Sequence, residues 1–341
     1  MRLWIFGLSL GILLSLLIFH RKSLIVSFII KRPHTDAALS NLNRAFKPYQ
    51  DGEYKVISDL VTPPGAAEVK VSDTDITVCS QTSVGNLFQV VPLAEAWGGR
   101  ISVAVFTYDD RVDVTLAYIL LLRRCSPEVR QKTSFHLVAP VNRAPETLNV
   151  TENQYQATDC GLLTNLKIKF TEENFFLGNV KYPVNILRNT ALAYARTPYV
   201  MNLDVDILPS YDLHAEMVSF LRKLNETETL RKTLYVVPCF ESSISNGIFL
   251  KSKTDLIEAK RKGTIRPLWV RPCPYCQNAT DYERWFSLPY PGEMSVAYSA
   301  RYHSHYEPFY IALKKTLPPF DGRFKQFGLN RASQVWYMYK V

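Results

Sequence analysis

The stretch "PYVMNLDVDILPS", Pro198 to Ser210, sets two carboxylates, Asp204 and Asp206, around one valine at the end of an apolar run. Residues i and i+2 of a strand point to the same side. If the strand continues through both acids, they converge on one ion. With no His or Cys in the triplet's immediate surroundings, they favour a hard, oxygen-preferring divalent cation, Mn²⁺ or Mg²⁺. Such an ion keeps some waters, takes phosphate oxygens from a substrate and neutralises a departing diphosphate. That chemistry suits transfer from a nucleotide-sugar. The competing reading has the two acids capping a turn and the helix near Tyr211. An acid-x-acid triplet is weakly specific by itself. The chain carries a second one, "DTD" at Asp73 to Asp75, in a polar run that reads as solvated turn residues.

The elements around the triplet alternate. "ITVCSQTS", "RISVAVFTY", "SFHLVAP", "YVMNLDVDIL" and "LYVVPCF" read as strands, with "LKIKF" as a further one. Between them, "VGNLFQVVPLAEAWGG" has helical periodicity and stops at Gly98 and Gly99, and "VDVTLAYILLLRRC" is an apolar helix. "YPVNILRNTALAYARTP" opens with Pro near its first helical position. This order predicts an α/β fold with a mostly parallel central sheet, its strands apolar on both faces because helices cover both. Ligands of such sheets bind at the carboxyl ends of the strands, where Asp204 and Asp206 lie. After Ser210, aromatics, prolines and charges mix, and we read residues 211–341 as a second half built on the same sheet.

The 341 residues are 47% hydrophobic and carry a net charge of +9. The length supports a substantial core, and the basic balance suits a phosphate-bearing small molecule or an anionic glycan. No helix-turn-helix, zinc-finger or aromatic–basic repeat spacing is present, so no nucleic-acid partner is expected. Leu3 to Phe19 is an uncharged apolar run, followed by "HRKS" and a second apolar patch rather than a cleavage site. We read it as an uncleaved membrane anchor. Arg21 and Lys22 after the run would, alone, hold the body of the chain in the cytoplasm. Three sequons, at Asn149, Asn225 and Asn278, and an even count of six cysteines favour the oxidising luminal side. "CPYC", Cys273 to Cys276, lacks a second ligand pair for zinc, and a structural disulfide or lone thiols are expected there.

Four ordered blocks add a resemblance. "QTSVGNLFQVVPLAEAWGGRISVAVF", "YPVNILRNTALAYARTPYVMNLDVDILPS", "HYEPFYIA" and "FDGRFKQFGLNRASQV" together resemble the glycosyltransferase family that contains the β-1,4-glucuronyltransferase of the dystroglycan glycan pathway and the C-terminal domain of the LARGE enzymes. The resemblance runs from about Cys79 to the end of the chain. It implies a GT-A fold, a type II Golgi membrane protein, a UDP-sugar donor, a glycan acceptor and Mn²⁺-dependent transfer with inversion. Carried onto this sequence, Asp204 and Asp206 are the metal acids. Asn185, Arg188 and Asn189 of "NILRN" face the donor, where a guanidinium would suit a phosphate or a glucuronate carboxylate. Gln81, Thr82 and Ser83 end the first strand, where the nucleotide lies in this fold.

Inverting transfer needs a base to take the acceptor hydroxyl proton. The family segment reads Asp-Glu-Arg-Phe where this chain has "DGRF", so Asp321 is retained and Gly322 replaces the second acid. Glu307 of "HYEPF" is the other candidate. Family members also continue past the last block, and a histidine there is expected to complete the metal site. None of the six histidines of this chain occupies a matching motif. The organisation read from the sequence is therefore an anchor and flank over 1–30, a stem over 31–74 and a transferase domain over 75–341, truncated at its C-terminus. Its donor half covers about 75–210 and its acceptor half about 211–341. The rival functions are a catalytically inactive family member that binds a glycan or partner, and a metal-dependent phosphodiesterase.

Overall fold

A computed structural model of the chain describes residues 42–49, 52–109, 111–150, 159–163, 180–224, 233–243, 252–289, 292–326 and 328–340. The first half runs β1 (Leu42–Ala45), β2 (Lys47–Pro48), β3 (Tyr54–Val61), β4 (Ile76–Ser83), α1 (Val90–Ala96), β5 (Arg100–Phe106), α2 (Arg111–Cys125), α3 (Pro127–Lys132), β6 (Thr133–Pro140) and β7 (Thr147–Val150). The second half runs α4 (Val184–Tyr194), β8 (Tyr199–Asn202), α5 (Leu213–Leu224), β9 (Leu234–Val237), β10 (Phe240–Ser242), α6 (Lys253–Arg261), β11 (Ile265–Pro267), α7 (Tyr282–Ser287), β12 (Phe309–Leu313) and α8 (Ala332–Lys340).

Eight strands form one sheet in the order β2-β3-β6-β5-β4-β8-β12-β9. The centre, β6-β5-β4-β8, is parallel, and β3 and β12 join it antiparallel on either side. This is the expected α/β, GT-A-like architecture. The central strands are apolar on both faces because both are covered. Ile76, Val78, Val103, Phe135, Leu137 and Met201 point into one core with α1, α2 and α5. Cys79, Ala104, Phe106, Val138 and Val200 point into the other with α4. α4 is amphipathic and lays Ile186, Leu187 and Ala191 on that second face.

A polar relay pins α4 to the sheet. The backbone N–H of Asp59 donates to His136 Nδ1 at 2.8 Å. His136 Nε2 lies 3.0 Å from Ser102 Oγ, and that hydroxyl donates to the carbonyl of Ala191 at 2.8 Å. With Nδ1 accepting and the Ser102 proton spent on Ala191, the ring is neutral with its proton on Nε2. His136 is fully buried, and burial pushes its pKa down to about 4, the Asp59 charge offsetting part of the effect.

Three expectations change. The stem expected over 31–74 ends before β3, because β3 pairs with β6 and buries Tyr54, Ile57 and Leu60. Its alternation was obscured by the turn-rich "TPPGAAE" that follows. The strand "YVMNLDVDIL" ends at Asn202, and the chain from Asp204 onward turns, with Ile207 N–H donating to Asp204 O at 3.0 Å. Asp75 is not a solvated turn residue. It is half-buried, with one carboxylate oxygen 2.9 Å from His214 Nε2 and also accepting from Ile76 N–H.

β9 and β12, both after Ser210, lie in the same eight-stranded sheet. Disulfides join Cys125 to Cys160 and Cys273 to Cys276, while Cys79 and Cys239 are buried thiols. Among the described residues no helix is long and apolar enough to cross a membrane. Leu3–Phe19, "LKIKF" and Asn225 lie outside the described residues.

Candidate active site

β4 and β8 run parallel, so their carboxyl ends open on the same edge of the sheet. β8 adds one more rung there, Leu203 N–H to Cys79 O at 3.0 Å, before it turns. Leu203 and Val205 are buried in the core, which leaves Asp204 on the opposite side and Asp206 exposed on the turn. β12 arrives antiparallel, with Ile311 opposite Met201 and Leu313 opposite Tyr199. Glu307 lies two residues before that strand. This edge of the sheet thus carries Asp204 and Asp206, with Glu307 near enough for the Asp204 charge to act on it.

Asp204 is bracketed by two guanidinium groups. Arg188 Nη2 donates to Oδ1 at 3.1 Å and Arg331 Nη2 to Oδ2 at 2.9 Å. Each arginine side chain is only 5% exposed. Gln81 Nε2 adds a longer contact to Oδ1 at 3.4 Å, and the Tyr182 hydroxyl donates to Gln81 Oε1. Burial alone would raise the Asp204 pKa, but Arg331 and Arg188 outweigh it and hold the carboxyl well below the usual range. Asp206 behaves oppositely. Desolvation by the surrounding chain and the Asp204 charge raise its pKa, although its side chain reaches solvent. Glu307 is half-buried, accepts from Ala332 N–H at the start of α8, and has its pKa raised by burial against the opposing pull of Arg331.

The C-terminal segment is held by α4. Asn185 and Asn189 lie one helical turn apart and therefore on one face. Asn189 exchanges two bonds with Phe320, Nδ2 to the carbonyl at 2.8 Å and Phe320 N–H to Oδ1 at 2.7 Å. Asn185 Nδ2 donates to the carbonyls of Asp321 at 2.9 Å and Asn330 at 3.2 Å. The resemblance places both asparagines at the donor; in the structure their amides are taken by this backbone. Arg188 also donates through Nη1 to Asn330 Oδ1 at 2.6 Å, so it is neither a surface arginine nor an open anion clamp.

The remaining predicted residues divide. Gln81, Thr82 and Ser83 do end β4 at the same edge, but Thr82 and Ser83 are buried. The Asp321 carboxylate is taken up in an ion pair with the exposed Arg323, whose Nη2 lies at 2.6 Å, and that hydrogen bonding lowers its pKa. Beside it, a Cβ on Gly322 would come within 2.7 Å of Ile186 Cδ1, so Gly322 lets the segment pack close on α4. Asn278 is exposed on a turn, whereas Asn149 sits in β7, paired with β1, rather than in a loop. Sequence reasoning missed Arg331, Tyr182 and Asn330 as site residues.

Of these donors, Asp206 is the one open to an incoming cation. That carboxylate is the acid facing solvent. Asp204 contributes its negative field and its remaining lone pairs. Among the described residues, no group of three or more His, Cys, Asp and Glu is arranged to hold a metal. Water and substrate phosphate oxygens would have to complete the sphere, as they commonly do for Mg²⁺ and Mn²⁺.

Residues 75–341 match the family model described as glycosyl-transferase for dystroglycan. The chain belongs to this glycosyltransferase family. It is 31% identical over 295 residues to beta-1,4-glucuronyltransferase 1 of Homo sapiens, covering 83% of this chain and 67% of that one. The Danio rerio protein of the same name is 29% identical over 298 residues, covering 83% and 68%. Similarity extends to xylosyl- and glucuronyltransferase LARGE2 of Mus musculus, 28% over 263 residues, covering 76% of this chain and 31% of that protein.

Proposed function

We propose that the chain is a metal-dependent transferase that moves a sugar, with glucuronate the first candidate, from UDP to a glycan acceptor with inversion. The observation that carries this reading is the bracketed Asp204 beside a solvent-facing Asp206 at the carboxyl ends of a GT-A-like sheet, with Glu307 within reach of the Asp204 charge. Relatives named as glucuronyltransferases support the choice of donor sugar. We assign Asp206, with Asp204 behind it, to hold Mn²⁺ or Mg²⁺, whose chemistry is to neutralise the departing diphosphate. Glu307 takes the acceptor hydroxyl proton as that oxygen bonds to the sugar's anomeric carbon and the bond to UDP breaks, UDP leaving with the electron pair. Glu307 suits this role better than Asp321, whose carboxylate is already held in an ion pair with Arg323. Arg331 and Arg188 fix Asp204 and give the diphosphate a positive surround. The Leu3–Phe19 run and the sequons at Asn149, Asn225 and Asn278 support a type II Golgi membrane protein with a luminal, N-glycosylated body.

A second reading is an inactive family member that binds a glycan. It draws support from the paired state of Asp204 and from the lack, among the described residues, of a third metal-ligating side chain. The test is transfer by the full chain, supplied with Mn²⁺, from a panel of UDP-sugars to glycan acceptors. We expect product with UDP-glucuronate, lost in Asp206→Asn. No transfer from any UDP-sugar, with glycan binding that ignores Mn²⁺ and Asp206→Asn, overturns the enzyme in favour of the binding protein.

A further inference from the structure

Glu307 sits where the sheet does not hold it. The β12 ladder begins at Phe309, and Pro308 has no N–H to give. Both peptide groups flanking the Glu307 Cα are nevertheless fixed, by Cys276 in the loop closed by the Cys273–Cys276 disulfide and by Gln277 just after it. The Glu307 N–H donates to the carbonyl of Cys276 at 2.9 Å. Gln277 Nε2 donates to the carbonyl of Glu307 at 2.7 Å. Neighbouring contacts repeat the pairing: Thr280 Oγ1 lies 2.6 Å from the Tyr306 hydroxyl, and the Tyr275 and His305 rings meet edge to face. The loop is itself stiff. Cys276 N–H donates to Cys273 O at 3.0 Å, Cys273 N–H to Trp269 O at 2.9 Å, and Thr280 N–H to Gln277 O at 2.9 Å. Gln277 is 7% exposed, so its amide is committed to this contact rather than to water.

We propose that Gln277 is a positioning residue for Glu307, and that the turn 273–277, closed by the disulfide over 273–276, holds it. The inference rests on the reading of Glu307 as the base. A base works only within hydrogen-bond reach of its proton, and displacements of about 1 Å cost large factors in rate. Two successive loop residues gripping one peptide unit on each side of Glu307 set both the height and the twist of its side chain.

The experiment is a double-mutant cycle in the full chain, read by transfer kinetics and hydrogen exchange. Gln277→Leu keeps the volume and removes the donor. We expect kcat to fall about tenfold or more with KM for the UDP-sugar unchanged, and no further loss when Gln277→Leu is added to Glu307→Gln, since paired residues acting through one group are non-additive. Equal losses in both backgrounds, the mark of a merely structural role, overturn the proposal. Hydrogen exchange over 303–309 is read independently of transfer. It should quicken there in Gln277→Leu while the rest of the chain is unchanged, and unaltered exchange overturns the positional claim. If the unmutated chain transfers nothing, or Glu307→Gln is fully active, the proposed mechanism fails and the exchange result alone judges the clamp. Should Gln277→Leu not fold, Cys273→Ala with Cys276→Ala opens the loop with Gln277 in place and is taken through the same cycle.

Discussion

Replacing Asp204 by asparagine should destabilise the fold before it is asked to do any chemistry. Arg188 and Arg331 are each 5% exposed and both spend an Nη2 proton on this carboxylate. An amide carries no charge, and only one of its two terminal atoms accepts a hydrogen bond. Two nearly buried guanidinium ions would then face each other without their counter-charge. Removing one partner of a buried ion pair costs about 3–5 kcal/mol. Asp204 itself is 28% exposed, so the lower end, about 3 kcal/mol, applies. Urea denaturation of the wild type and Asp204→Asn at neutral pH measures the difference. A second variant separates charge from shape. Adding Arg331→Met to Asp204→Asn removes one unpaired cation while keeping much of its volume, and should recover a good part of the loss. If Asp204→Asn is as stable as the wild type, or if Arg331→Met makes it worse, charge does not hold the bracket together and the assignment of Asp204 as its counter-ion fails.

Three other outcomes are expected. Glu307→Gln should cut kcat by a factor of about 10² or more, the usual contribution of a general base, while UDP binding measured by calorimetry stays intact. Acid should destabilise the chain through His136: its folded pKa, pushed down to about 4 by burial, lies below the ordinary 6.5, so the unfolded chain binds the proton first. Stability is therefore complete above about pH 6.5 and falls as pH drops towards 4, by up to about 3 kcal/mol. Denaturation at pH 7 and pH 4.5 checks this, and His136→Gln should flatten the slope over that window. Gly99→Ala should cost about 1–3 kcal/mol, because the added carbon would lie 2.4 Å from His214 Nε2 and 2.9 Å from the Ile76 carbonyl, and that carbonyl cannot swing aside. A thermal melt indistinguishable from wild type would show that α5 can shift and carry His214 with it.

Much of the fold was legible because each central strand and helix carries its own period. "ITVCSQTS" and "RISVAVFTY" are apolar on both faces, and they lie at β4 and β5 in the middle of the sheet. Legibility fell off where one strand depends on a distant partner. β3 reads as part of a linker until β6 is beside it, since nothing local says that Tyr54 and Leu60 will be covered. The same holds for β12, whose residues were recognised as a block but whose antiparallel place between β8 and β9 is a fact of the tertiary fold.

The site shows the limit more sharply. The triplet was found by an argument about strands, i and i+2 on one side, yet Asp204 and Asp206 lie past the end of β8 on a turn. They still differ in environment as two roles require, but through neighbours from other elements. Arg188 comes from α4, Arg331 from the residue before α8, and Gln81 from the end of β4. Spacing along the chain cannot reveal these partners, because 127 residues separate Asp204 from Arg331. An arginine at a helix start reads as a solvated cation until burial under Phe309 and a carboxylate at 2.9 Å show otherwise. Under the proposed mechanism the charge pairing also distinguishes the acids. With Asp204 committed to two cations, the proposal leaves Asp206 to meet a divalent ion, so Asp206→Asn should abolish Mn²⁺-dependent UDP binding while sparing the stability that Asp204→Asn lowers. Loss of both properties in both variants would mean that the two acids act as one unit, as the strand argument first had it.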